Sequence, residues 1–183
     1  VGIVSRDNSK LLVASYFTNS VIEYDLLTGA GRTLVVPGSG GLQGAGTLLL
    51  GTNNRLWVSS EDSNQVLEYD AITGNFLRIA AQGSGLSVPT GLVFDAQGNL
   101  LVASLATDSI LKYAPDGTSL GAFVAAGAGG LDGPQGMAWG PNGNLFVCSR
   151  LNNSILEFNR ADGTPVDRDP NTPGTQAVFA GVN

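Results

Sequence analysis

The feature that most constrains this chain is a phrase that returns four times. Tyr24, Tyr69, Tyr113 and Phe158 each close a short apolar segment, at spacings of 45, 44 and 45 residues. The segments they close are Val21-Ile22-Glu23-Tyr24, Val66-Leu67-Glu68-Tyr69, Ile110-Leu111-Lys112-Tyr113 and Ile155-Leu156-Glu157-Phe158. Upstream of each lies a second apolar run: Leu11–Ser15, Leu56–Ser60, Leu100–Ser104 and Leu145–Ser149. Each unit opens on a glycine, at Gly2, Gly46, Gly91 and Gly136. A fourth segment is clear as Phe76–Ala80 and Leu120–Val124. Four short strands per 40–45 residues is the signature of propeller blades. The expected fold is therefore all-β: a β-propeller of four-stranded antiparallel blades, four of them in this chain.

The blades are expected at about 1–45, 46–90, 91–135 and 136–183, in one domain spanning 1–183. Turn clusters such as Arg6–Lys10 and Asp25–Gly29 join the strands, with Gly29 a natural site for positive φ. The second strands do not alternate in polarity, which predicts burial on both faces between neighbouring blades. The third strand of the first unit alternates, which predicts a half-exposed strand near the rim. Cys148, the only cysteine, sits mid-strand among apolar residues and reads as a small buried hydrophobe.

Three glycine-rich stretches, 37–45, 82–90 and 127–135, would pass for flexible linkers if met singly. Their recurrence says otherwise. Each must carry the chain from an outer strand back to the central axis, with Leu42, Leu86 and Leu131 plugging in beneath. No Gly-Lys-Ser/Thr follows them, so a phosphate cradle is disfavoured. A net charge of −6 with 43% hydrophobic residues is ordinary for a folded domain. No apolar run approaches the ~20 residues of a membrane helix, and no secretory signal is present, so any targeting segment was removed or lies outside these residues. The nine basic residues are scattered singly, without the footprint of a nucleic-acid binder.

The units resemble the NHL-type repeat and, more loosely, gluconolactonase-like and streptogramin-lyase-like propellers. The residues that carry this are Pro89–Phe94 with Gly98–Ala103 and Asp108–Tyr113, repeated as Gly133–Trp139 with Gly143–Val147. The resemblance covers essentially the whole chain. It implies the fold far more sharply than an activity, because such repeats serve binders and enzymes alike. The wording of Asn19-Ser20-Val21 and of Phe123–Leu131 also resembles secreted bacterial repeat proteins, which implies an extracellular or cell-surface location.

In a propeller of this kind the connectors and the loops between strands two and three share one face. Strand cores repeat there while the loop residues change from blade to blade. The candidate binding face is Tyr16, Phe17, Glu61, Asp62, Leu105, Arg150 and Gln135. Drift of loop positions explains the variation equally well. Catalysis is not expected. The chain has no histidine, the commonest general base, and a streptogramin-lyase-like enzyme is expected to use one. A gluconolactonase-like enzyme binds a divalent cation with inward carboxylates and amides. Only Glu61-Asp62 is acidic at the matching positions, short of the six or more oxygens calcium prefers. Asp167, Asp169 and Asn171 have the alternation of a calcium loop. Their glycine comes two places late and no distal Glu follows, so a solvated rim loop is the better reading and no cofactor is expected.

The expected role is a non-catalytic extracellular binding or assembly module. Its partner would be a protein, a glycan or other copies of itself. The alternative is a metal-dependent lactonase-like hydrolase or lyase. The chain opens on the first strand of unit one and stops after the outer strand of unit four. Neither terminal unit has the polar outer face a repeat array normally carries. Those faces call for self-closure, further blades or a neighbouring copy, the last two being favoured.

Overall fold

The computed structural model describes residues 2–167 and 177–181. Alternating strands and tight turns build four antiparallel sheets, each with its strands in sequence order. The first blade is β1 (Ile3–Arg6), β2 (Lys10–Ser15), β3 (Ser20–Asp25) and β4 (Gly31–Val35). The second is β5 (Ala45–Leu50), β6 (Arg55–Ser60), β7 (Gln65–Asp70) and β8 (Phe76–Gln82). The third is β9 (Pro89–Phe94), β10 (Leu100–Ser104), β11 (Ser109–Tyr113) and β12 (Ser119–Val124). The fourth is β13 (Pro134–Trp139), β14 (Leu145–Ser149), β15 (Ser154–Phe158) and β16 (Val178–Gly181). The fold is a β-propeller of four-stranded blades, with single turns of 3-10 helix the only helix among the described residues.

The chain divides into two compact units, Val1–Gly83 and Ser84–Asn183, each holding two blades. In the first, Leu12, Ala14 and Val21 of blade one share a core with Leu48, Leu56, Val58, Leu67 and Tyr69 of blade two. In the second, Leu101, Ala103 and Ile110 of blade three share a core with Leu145, Val147, Leu156 and Phe158 of blade four. Glycine lets the first strands of paired blades touch through their backbones. The Gly2 amide donates to the Gly46 carbonyl at 2.7 Å, and a β-carbon on Gly2 would lie 2.5 Å from the Leu48 nitrogen. A β-carbon on Gly91 would collide with the Gln135 carbonyl in the same way.

The expected burial of Leu42, Leu86 and Leu131 is met, and Gly29 has φ +71°. Two expectations need correction. Burial of the second strand on both faces holds for β10 but not for β2 or β14, where it alternates. The reason is that blades one and four each have a face that no described residue packs against as tightly. Cys148 lies on such a face and is exposed, not buried. Likewise β3 is half-open, with Tyr24 on the open side, whereas Val66, Leu67, Glu68 and Tyr69 of β7 are all buried. An apolar run reports strand two of any blade, and cannot report whether a neighbour covers it.

Buried carboxylates sit on the third strands and are matched locally. Glu23 takes Arg6 at 2.7 Å and Arg32 at 2.8 Å. Burial works against its ionised form, but the Arg32 hydrogen bond and the charge of Arg6 outweigh it and hold the pKa below normal. Glu68 takes Arg78 at 2.6 Å and Arg55 at 3.2 Å. Glu157 takes the side-chain amides of Asn142 and Asn144 at 2.7 and 2.8 Å. In blade three the polarity is reversed: Lys112 stands at the Glu position and meets Asp95, at the Arg6 position, at 2.8 Å.

Candidate functional site

A recurring serine builds the loop face of the second, third and fourth blades. It ends the second strand and clasps the incoming connector. Ser60 Oγ accepts from the Gln43 amide at 2.8 Å and donates to the Gln43 carbonyl at 3.0 Å. Ser149 treats Asp132 in the same way, at 2.9 and 3.0 Å, and Ser104 accepts from the Ser87 amide at 2.9 Å. The next two residues are then zipped to the connector by backbone bonds: Glu61 to Gly44, Asp62 to Gln43, Leu105 to Val88, Ala106 to Ser87, Arg150 to Gly133 and Leu151 to Asp132. A second pin holds the connector's far end. The side chains of Asn19 and Asp108, both in the left-handed region, accept from Gly44 and Gly133 at 2.8 Å. Connectors and loops therefore lie side by side within each unit, as the sequence led one to expect.

In the first unit this scaffold brings Tyr16, Phe17 and Asp62 together, with Glu61 next in the chain. The Tyr16 hydroxyl donates to Asp62 Oδ1 at 2.7 Å. Its ring lies over Gly44, where a β-carbon would come within 3.0 Å of it and 2.8 Å of Asp62. Phe17 stacks edge-on against Tyr16 at 5.3 Å and is 94% exposed. Bonding to Asp62, then burial and the nearby carboxylates, raise the Tyr16 pKa. The phenol therefore stays protonated at neutral pH and acts as a donor, not a base. Glu61 is half-buried, with its carboxylate against Gly46.

In the second unit the same scaffold carries different chemistry. Leu105 is half-buried on its loop and Arg150 is exposed on the matching loop of blade four. Leu151, the counterpart of Asp62, lies against Gly133. Gln135 is on strand β13 and half-buried, beside the buried Thr90, whose hydroxyl donates to the Pro134 carbonyl at 2.8 Å. Elsewhere in this unit a shallow cavity of about 280 Å³ is lined by Asp95, Gln97, Lys112 and Arg160. Its charges are committed: Lys112 to Asp95, and Arg160 over the Trp139 ring at 5.8 Å. Burial opposes ionisation of Asp95, but Lys112 and Asn99 hold its pKa below normal.

Asp167 is exposed at the end of a described stretch, while Asp169 and Asn171 lie outside the described residues. Among the described residues, no three His, Cys, Asp or Glu side chains converge as a metal group. Nor is any helix long and apolar enough to cross a membrane. The sequence reading missed the serine clasps and the Asn19 and Asp108 pins. Their signal was present, since every second strand ends on serine, but serine at a strand end suggests only a turn.

No family model matches the chain, and no curated protein matches it. Solved structures do. A streptogramin B lyase shares 21% identity at a TM-score of 0.70, over 86% of this chain and 50% of its own. A catalytically inactive histidine-to-alanine variant of virginiamycin B lyase from Staphylococcus aureus, with quinupristin, shares 17% at 0.71, over 92% and 56%. A gluconolactonase-like protein shares 17% at 0.66, over 85% and 58%. The chain thus spans little more than half the length of these neighbours. At such identities the likeness is one of architecture, and what it establishes is that this chain is a β-propeller.

Proposed function

We propose that this chain is a non-catalytic extracellular binding module that presents its loop face to a protein or glycan partner. The observation that carries the reading is the Tyr16–Phe17–Asp62 cluster. Phe17 is 94% exposed and offers an open aromatic face for a partner to cover. Here it is held by an aromatic neighbour that is itself tied down. Rigid aromatic surface beside fixed carboxylate acceptors suits sugar rings and peptide side chains alike, because little conformational entropy is lost on contact. The module works without a cofactor, and the NHL-like repeat is its scaffold.

The catalytic neighbours argue for a second reading, a metal-dependent hydrolase or lyase. Against it, one neighbour is inactive after losing one histidine, and this chain has none. One experiment separates the two. The purified chain is applied to glycan and peptide arrays, alongside Tyr16→Ala and Phe17→Ala variants, and its metal content is measured. The module reading expects array binding that both variants abolish while melting stays nearly unchanged. Stoichiometric divalent metal, or binding indifferent to both substitutions, would overturn it.

A further inference from the structure

The cavity of the second unit has a filled counterpart in the first. Its lining residues Asp95, Lys112, Arg160 and Ala161 correspond to Arg6, Glu23, Ala71 and Ile72, at the offset of 89 that separates Tyr24 from Tyr113. In the first unit Glu23 is flanked by Arg6 and Arg32, and both reach across to the next blade. Arg6 donates to the Ala71 carbonyl, and Arg32 to the Ile72 carbonyl at 3.1 Å. Two guanidinium groups thus occupy the place. In the second unit Asp95 replaces Arg6, and Gly121 replaces Arg32 in the same register: Gly121 pairs with Lys112 as Arg32 pairs with Glu23. A β-carbon on Gly121 would meet nothing within 4 Å. The loss of two long side chains opens the cavity of about 280 Å³. A cation now comes from its far wall instead, as Arg160 in the place of Ala71.

The unspent hydrogen-bonding capacity here is of one kind. Asp95, the only carboxylate in the lining, is saturated. Its Oδ1 accepts from the Gln97 and Asn99 amides, both at 2.9 Å. Its Oδ2 accepts from Asn99 Nδ2 at 2.9 Å and from Lys112 at 2.8 Å. A carboxylate has about four such sites, so none is left for a cationic ligand. Donors are in surplus. Lys112 spends one of its N–H groups on Asp95. Among the described residues, no acceptor takes a proton from the Arg160 guanidinium or from the Gln97 side-chain amide. Arg160 rests over the Trp139 ring, which is itself fixed by its N–H bond to the Phe94 carbonyl at 2.7 Å. The fork is therefore presented by a rigid support. We propose that this cavity binds a small organic carboxylate, gripped by the Arg160 fork with Lys112 and Gln97 as further donors. Two cations less one carboxylate leave a single positive charge in the lining, which a monocarboxylate neutralises. A phosphate dianion would set surplus negative charge beside Asp95. The volume lies just below the range of ordinary ligand pockets, which starts near about 300 Å³ and suits a small molecule. The inference uses no residue of the loop cluster and stands whether or not that face binds a partner.

The test is a proton–nitrogen NMR titration of the 183-residue chain with sodium benzoate up to about 50 mM, against sodium chloride and sodium sulfate at matched ionic strength. The Trp139 indole N–H, identified by its loss in Trp139→Phe, and the Arg160 side-chain signals should shift and saturate with a dissociation constant on the order of 1 mM. Arg160→Ala should abolish the indole shift. Arg160→Lys keeps the charge without the fork and should bind about tenfold more weakly. Both variants should otherwise keep the wild-type spectrum, because Arg160 is exposed. Asp95→Arg with Lys112→Glu writes the first unit's polarity into the second, fills the cavity and should also abolish binding. Phe17→Ala should bind benzoate like wild type, so failure of the loop face and failure of this site are read apart. Benzoate shifts that never saturate overturn the proposal. So does saturation unchanged in Arg160→Ala or Arg160→Lys, or sulfate or chloride saturating the same signals as tightly as benzoate.

Discussion

The two halves of this molecule are one structure written twice, 89 positions apart, with different words at the same places. Gly2 and Gly91 admit a neighbouring strand; Gly74 and Gly163 admit a neighbouring carbonyl; Asn19 and Asp108 pin Gly44 and Gly133. Against that constancy, Tyr16 becomes Leu105, Phe17 becomes Ala106, Glu61 becomes Arg150 and Asp62 becomes Leu151. A bonded phenol and carboxylate in one half answer to two leucines in the other. Positions whose side chains hold the backbone are kept, and loop positions whose side chains do not are free to differ.

The comparison breaks most readily at its constant points. Gly74 and Gly163 have φ of +74° and +71°, and a β-carbon on either would strike a backbone carbonyl, Leu34 in one case and Phe123 in the other. Alanine at either site should cost more than about 3 kcal/mol, through strain and clash together. Denaturant midpoints of the two variants should fall alike. Tolerance at one site only would show that the halves are not equivalent.

The reversed ion pair sharpens the comparison. Asp95→Arg alone sets two cations together at a largely buried site and should cost about 2–4 kcal/mol. Adding Lys112→Glu rebuilds the polarity of Arg6 and Glu23 and should recover most of that loss. A double variant no better than the single one would mean that the surroundings, not the pair, fix the polarity of each half.

Acid should act on both halves in the same sense. Glu23 and Asp95 have pKa values held below normal in the folded chain. Their stabilisation is therefore present above their unfolded values, near 4, and is lost as pH falls through the lower folded values. Melting temperature should drop below about pH 4, and Asp95→Asn should flatten part of that drop. A profile that Asp95→Asn leaves unchanged would deny the pair its role.

The smallest effect is expected at the loops. Leu105→Tyr with Leu151→Asp would write the Tyr16–Asp62 pair into the second half. Stability should move by less than about 0.5 kcal/mol, because the backbone there is already held by the serine clasp. A larger loss would make these residues structural and weaken the candidate site.

The blades were legible in the sequence because burying one face of a strand forces period two, and four strands with their turns make each blade a repeat near 45 residues. Leu42 and Leu131 were legible for the same reason: an apolar residue among glycines has one place to go. Cys148 was misread because its strand is apolar like the others, and cover depends on a neighbour that the strand's own sequence does not mention. The Tyr16–Asp62 bond joins residues 46 positions apart, and only the geometry of the clasped loops brings them within reach. Local pattern reports what a residue prefers; it does not report which distant loop will be waiting.

The serine clasps have a consequence for exchange with solvent. By composition, the glycine-rich connectors should trade their amide protons for deuterium as fast as an unstructured linker. Gln43, Ser87 and Asp132 donate those protons into a serine that is itself shut away from water. To release one, the end of a central strand must first let go of its loop. Slow amides at these three positions, set in stretches that look built to be loose, would be the isotopic trace of a face kept still before anything has bound to it.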